Sequence, residues 1–167
     1  MIQENEINDV RSRMEFDQVY CRDLPTTPTP SNGPILVTGG TGYIGGRLVP
    51  ELLARGYRVR VMVRIHSPEY TERWPQAEIA VADASDFASL CSALKGIHTA
   101  YYLIHSLLLG PEEFEASDLA NARNFRRAAE ENGVARIIYL GGLGDVRTFC
   151  RLIYAAGCVS PRNLAAA

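Results

Sequence analysis

Lysine is almost missing from this chain: sixteen of its 17 basic residues are arginine, and Lys95 is the single lysine. Any chemistry that demands a lysine therefore has one candidate position. Long apolar runs are absent too, and nothing approaches the ~18 consecutive apolar residues of a membrane span. The first residues, Met1 to Asn8, carry Glu4 and Glu6 and no apolar core, which disfavours a secretory signal. Charge excess is missing as well: 17 basic against 19 acidic residues leave a net charge of −2. With no basic patch and no interleaved aromatic platform, nucleic acid and anionic membrane surfaces are poor partners. Cysteine is sparse and scattered (Cys21, Cys91, Cys150, Cys158), without metal-type spacing, so no metal site is expected and free thiols in a cytoplasmic setting follow. What remains is an ordinary globular composition, 47% apolar and 22% charged over 167 residues. That is enough for one packed domain and points to a small-molecule function.

Residues 1–33 mix charges without period and end in Leu24-Pro-Thr-Thr-Pro-Thr-Pro-Ser-Asn-Gly33, which reads as a mobile arm. The domain is expected over 34–145. Short β-branched runs at Ile35–Thr38, Arg58–Val63, Ala77–Ala82, His98–Ile104 and Val134–Leu140 read as buried strands. Between them lie helical patterns: Tyr43–Arg55 with Ile44, Leu48 and Leu52 on its inner face and Pro50 as a kink, Asp86–Leu94, and a long helix opened by Pro111. Phe114, Ala122, Phe125 and Ala129 mark the long helix's inner face, and Gly56, Gly96 and Gly133 are the stops. The stretch from Ser67 to Trp74 shows only a weak pattern. Strands alternating with helices imply an α/β fold, a doubly wound parallel sheet in the order 3-2-1-4-5. Residues 146–167 contain no Asp or Glu, and read as an atypical tail, truncated or shifted in frame.

The strongest chemical signal is Thr38-Gly39-Gly40-Thr41-Gly42-Tyr43-Ile44-Gly45-Gly46, between the first strand and the first helix. A pyrophosphate needs backbone N–H donors at a helix start and no side chain in the way. Gly39 is expected to make the tight turn, Gly42 to admit the phosphates, and Gly45 to let helix approach strand. Where an acid would accept from the ribose 2′-hydroxyl of NAD, the second strand ends in Arg64. Its guanidinium suits a 2′-phosphate, which favours NADP(H) over NAD(H); the alternative is a surface arginine, Arg58 and Arg60 being read as exposed. Asp83, with Ala84 beside it, can accept from the adenine amino group, or can instead cap the next helix. Tyr101 and Tyr102 read as core, and Glu112, Glu113 and Glu115 as helix-start charges without chemistry.

The segments ILVTGGTGYIGGRLVPELLARGYRVRVMVR, VADASD, YYLIHS and NFRRAAEENGVARIIYLGGLGD resemble the N-terminal half of the atypical and extended short-chain dehydrogenase/reductase superfamily, in its NmrA-like and epimerase-like branch. The resemblance covers about 34–145 and implies an incomplete Rossmann fold. It places Ile104, His105 and Ser106 at the end of strand four under the nicotinamide ribose and phosphates, and Gly141 and Gly142 beside the nicotinamide. Active members carry a Tyr-x-x-x-Lys pair whose lysine lowers the tyrosine pKa for proton relay. Here Cys91 stands four positions before Lys95, and Cys158 four after Tyr154, so the pair is absent and no catalytic residue is assigned. The resemblance implies an oxidoreductase among longer relatives, with this chain alone inactive and its substrate unknown. The alternative is a dinucleotide sensor or assembly factor acting through a protein partner. Strand five, as an open edge, is expected to promote self-association.

Overall fold

The computed structural model describes residues 27–104 and 111–140, with side chains from 117 onward in the second stretch. After a 3-10 turn at Pro30–Asn32, the elements run β1 (Ile35–Val37), α1 (Tyr43–Ala54), β2 (Val59–Val63), α2 (Pro68–Arg73), β3 (Glu78–Val81), α3 (Phe87–Leu94), β4 (Thr99–Tyr102), α4 (Pro111–Glu131) and β5 (Arg136–Tyr139). The five strands form one sheet in the order β3-β2-β1-β4-β5, and every pairing is parallel. This is the doubly wound arrangement that the alternation predicts.

Alternation along the central strands divides the core into two layers. Ile35 and Val37 of β1, with Val59, Val61 and Val63 of β2, point to a layer closed by Val49 and Leu52 of α1 and by Trp74. Leu36 and Met62 point the other way, toward Leu90 and Leu94 of α3 and Phe125, Ala128 and Ala129 of α4. Tyr102 belongs to this second layer, its ring 4.8 Å from that of Phe125, while Tyr101 packs at the edge of the first. Both sheet faces are thus covered, as buried β-branched parallel strands require.

Helix ends follow local chemistry. Gly56, Gly96 and Gly133 stand at φ of 77°, 72° and 66°, in the left-handed region that helix stops use. Asp86, not Asp83, caps α3, its carboxylate accepting from the Ala88 N–H at 3.0 Å. The capping alternative for Asp83 is therefore set aside, because Asp86 is the residue one step before the helix. Three further expectations change. Ile44 is 46% exposed, since α1 turns Gly45, Val49 and Leu52 inward so that Gly45 can approach the loop backbone. The weak Ser67–Trp74 stretch contains α2, begun by Pro68 at its first position with Glu69 in the first turn. Arg60 is not a surface arginine: it donates to the carbonyls of Ala93 (2.7 Å) and Lys95 (2.9 Å) at the end of α3 and pairs with Glu78 at 2.8 Å.

Pro50 lies inside α1, whose helical span continues past it to Ala54. The last residues of the expected arm touch the domain: the Thr29 N–H donates to the Tyr57 hydroxyl at 2.9 Å, and Gly33 backs onto His98. His105, Ser106, Gly141, Gly142 and the tail 146–167 lie outside the described residues, as do Cys21, Cys150 and Cys158. Among the described residues no helix is long and apolar enough to cross a membrane, and no three or more His, Cys, Asp or Glu side chains gather as a metal ion would need.

Candidate dinucleotide site

In a sheet of this order, β1 has β2 on one side and β4 on the other, and the crevice at the C-terminal ends of β1 and β4 is where ligands of open α/β sheets bind. The described candidate residues gather on that edge. Gly39, Gly42, Tyr43, Ile44 and Gly45 follow β1, Arg64 follows β2, Asp83 and Ala84 follow β3, and Ile104 follows β4.

The loop after β1 has no room for side chains on its inner side. Gly39 has φ of 63°, and a Cβ there would lie 2.8 Å from the Leu103 carbonyl oxygen. A Cβ on Gly45 would overlap the Gly39 carbonyl oxygen and the Gly40 backbone. Gly42 differs: its added Cβ would meet only the Gly39 oxygen at 3.3 Å, leaving its outer side open to an approaching group. Gly42 is also the N-cap of α1 and offers no side-chain cap, so the first-turn N–H groups are left for a ligand or solvent. A row of backbone donors at a helix start, with no capping side chain, fits a pyrophosphate.

Several supports of this loop escape a reading by motif. Thr38, fully buried, donates its hydroxyl to the Tyr101 carbonyl at 3.1 Å and accepts from the Leu103 N–H at 2.8 Å, clasping β1 to β4 below the crevice. Trp74, 1% exposed, lies under Gly40, whose Cβ would come within 2.5 Å of Val61 Cγ1 and 3.6 Å of the indole. Arg73 stacks 4.7 Å from the Trp74 ring and reaches Gly46, where a Cβ would stand 2.6 Å from its Nη2. The signal for α2 was present in Ser67-Pro68-Glu69; the tertiary contacts had none.

The outer side of the site is polar. Tyr43 is 72% exposed beneath the Arg47 guanidinium, 3.8 Å from its ring centre. Arg64 is exposed at the end of β2 and lies close enough to Asp83 to favour its ionised form. Hydrogen bonds from Ser85 do more: its hydroxyl (2.6 Å) and its N–H (2.8 Å) both donate to Asp83 Oδ1 and hold the carboxyl below the usual aspartate range. Ala84 is buried beside it, and Ile104 packs partly against the layer under α3 and α4.

Fold, crevice and glycine loop together define a dinucleotide-binding domain of the Rossmann type. The chain belongs to the NAD(P)H-binding family, whose pattern matches residues 39–150, within the short-chain dehydrogenase/reductase and NAD-dependent epimerase superfamily. It is 32% identical over 116 residues to a 3-beta-hydroxysteroid dehydrogenase of Mycolicibacterium neoaurum, a match covering 64% of this chain and 31% of the relative. The solved structure of gox2253 is 35% identical, with a TM-score of 0.56 over 68% of this chain and 37% of the other. A nucleoside-diphosphate-sugar epimerase of Pseudomonas aeruginosa is 28% identical, with a TM-score of 0.55 over 65% of this chain and 33% of the other. This chain spans about a third of the length of the curated relatives it matches.

Proposed function

We propose that this domain binds NADP(H) in preference to NAD(H), as the cofactor-holding part of a reductase or epimerase-like enzyme. The observation that carries the reading is Arg64 at the end of β2, beside the bare glycine loop. A cation stands where recognition of an unphosphorylated ribose calls for a carboxylate acceptor. In this reading the pyrophosphate rests on the first turn of α1 over Gly42, with Tyr43 and Ile44 flanking it. Arg64 meets the 2′-phosphate, Asp83 accepts from the adenine amine with Ala84 beneath the ring, and Ile104, His105 and Ser106 run under the nicotinamide ribose. When bound, the nicotinamide supplies a hydride; the residues named here bind and orient it. Titration calorimetry with NADPH and NADH tests the preference, and equal affinities overturn it.

A second reading is favoured by the position of Lys95. Lys95, the lysine of this sequence, follows α3 and precedes β4, at the opposite ends of the strands from the crevice. On this reading cofactor occupancy governs a protein partner, and no chemistry occurs. Oxidation of NADPH by this chain with any of a panel of carbonyl compounds overturns the second reading, since a sensor consumes none. The compartment fits the cytoplasm on cysteine usage.

A further inference from the structure

The turn that carries Asp83 is held from outside its own βα unit. Within the unit, Ser85 binds Asp83 Oδ1 twice, the Asp83 N–H donates to Ser89 Oγ at 3.1 Å, and the Asp86 N–H donates to the Asp83 carbonyl at 3.0 Å. From α4, the Asn124 side chain donates to the Ala84 and Ser85 carbonyls, each at 3.3 Å. Asn124 is half-buried and next in sequence to Phe125, which is locked in the core, so the amide is anchored to the sheet through its own helix. Asparagine is a poor choice for a helix interior on propensity, and here its amide is spent on another element's backbone. Asp83 Oδ1 is taken by Ser85, and Oδ2 has no partner among the described residues.

From this arrangement we infer that Asn124 is a positioning residue for base selection. By holding the carbonyls of Ala84 and Ser85, it fixes the turn so that Asp83 Oδ2 faces the exocyclic amine of a 6-aminopurine. The inference rests on the dinucleotide reading above, with Asp83 as the acceptor for that amine. Asn124 acts through the Ala84 and Ser85 carbonyls that it holds. Its effect therefore falls on discrimination between bases and not on the pyrophosphate or the 2′-phosphate.

The test compares NADPH with its hypoxanthine analogue, which carries a carbonyl oxygen in place of the 6-amino group, by fluorescence titration of the full chain. The parent is expected to bind NADPH roughly tenfold more tightly, as the loss of one hydrogen bond to a charged group implies. In Asn124→Ala and Asn124→Asp, the second of which keeps the side-chain shape without its donors, NADPH binding falls toward that of the analogue. Analogue binding stays within about twofold of the parent. A parent that binds both equally overturns the adenine reading beneath the inference. A parent that discriminates, with variants that discriminate as well, overturns the role of Asn124 alone. Variants that unfold or lose both ligands together mark Asn124 as purely structural and overturn it too.

Discussion

Thr38 and Leu103 meet at the base of the crevice: the Thr38 hydroxyl accepts from the Leu103 N–H at 2.8 Å while donating to the Tyr101 carbonyl at 3.1 Å. One buried side chain thus joins the two strands between which the site opens. Thr38→Val keeps the shape but leaves a buried N–H and a carbonyl without that partner. It is expected to cost about 1–3 kcal/mol in denaturant unfolding, with Thr38→Ser recovering most of it. Unchanged stability in the valine variant would show that water replaces the hydroxyl.

The glycine loop separates packing from binding. Gly45→Ala puts a Cβ into the Gly39 carbonyl, so it should destabilise the fold as well as abolish cofactor binding. Gly42→Val places its bulk on the open side, so the fold should survive while binding of both NADPH and NADH is lost. Thermal melts beside calorimetry distinguish the two outcomes. A Gly42→Val protein that still binds either cofactor would move the site elsewhere.

The sheet was readable because parallel strands buried on both faces leave short β-branched runs, and because glycines punctuate each helix end. The loop was readable because its glycine spacing after a strand is a local pattern, although the Leu103 carbonyl against Gly39 and Val61 against Gly40 add constraints from elsewhere in the chain. What stayed hidden depends on distant partners. Arg60 looks like any strand arginine until α3 ends beside it. Ile44 looks like a core residue until Gly45 claims the inward position. The six-residue α2 is too short for periodicity to register, although its proline start was visible. Asn124 is forty positions from the Ala84 carbonyl it holds, and no spacing rule connects them.

Arg64→Asp should narrow or reverse the preference for NADPH. Losing a charge-assisted contact to a 2′-phosphate costs about 1.5–3 kcal/mol, roughly tenfold or more in affinity. The introduced carboxylate offers the 2′-hydroxyl of NADH an acceptor and opposes the phosphate. Calorimetry on parent and variant gives both ratios, and a variant as selective as the parent would remove Arg64 from the site.

Acid should probe Asp83. Its folded pKa lies below the ordinary value through the two Ser85 hydrogen bonds, with a smaller contribution from Arg64. A depressed carboxyl adds stability that is fully present above the unfolded pKa, about 3.9, and is lost as pH falls through the lower folded value. Asp83→Asn should therefore be less stable than the parent near neutrality, with the difference closing toward acid. Asp83 is exposed, so solvent screens the contribution and the gap should be small. Parallel unfolding curves with a constant gap from pH 6 to pH 2 would refute the assignment.

Association should run through β5. Arg136–Tyr139 pairs with β4, and among the described residues it has no strand on its other side. Ile137 and Tyr139 pack against the layer under α4, which leaves Ile138 on the opposite face at the margin of the sheet. A sheet edge beside which no further strand is described invites a second copy, and a charge placed there opposes it. Sedimentation velocity over a concentration series should show self-association in the parent, and Ile138→Lys should shift the population toward monomer. A parent that sediments as a monomer throughout would mean that the edge is covered, and slow hydrogen exchange across 146–167 would identify the tail as its cover.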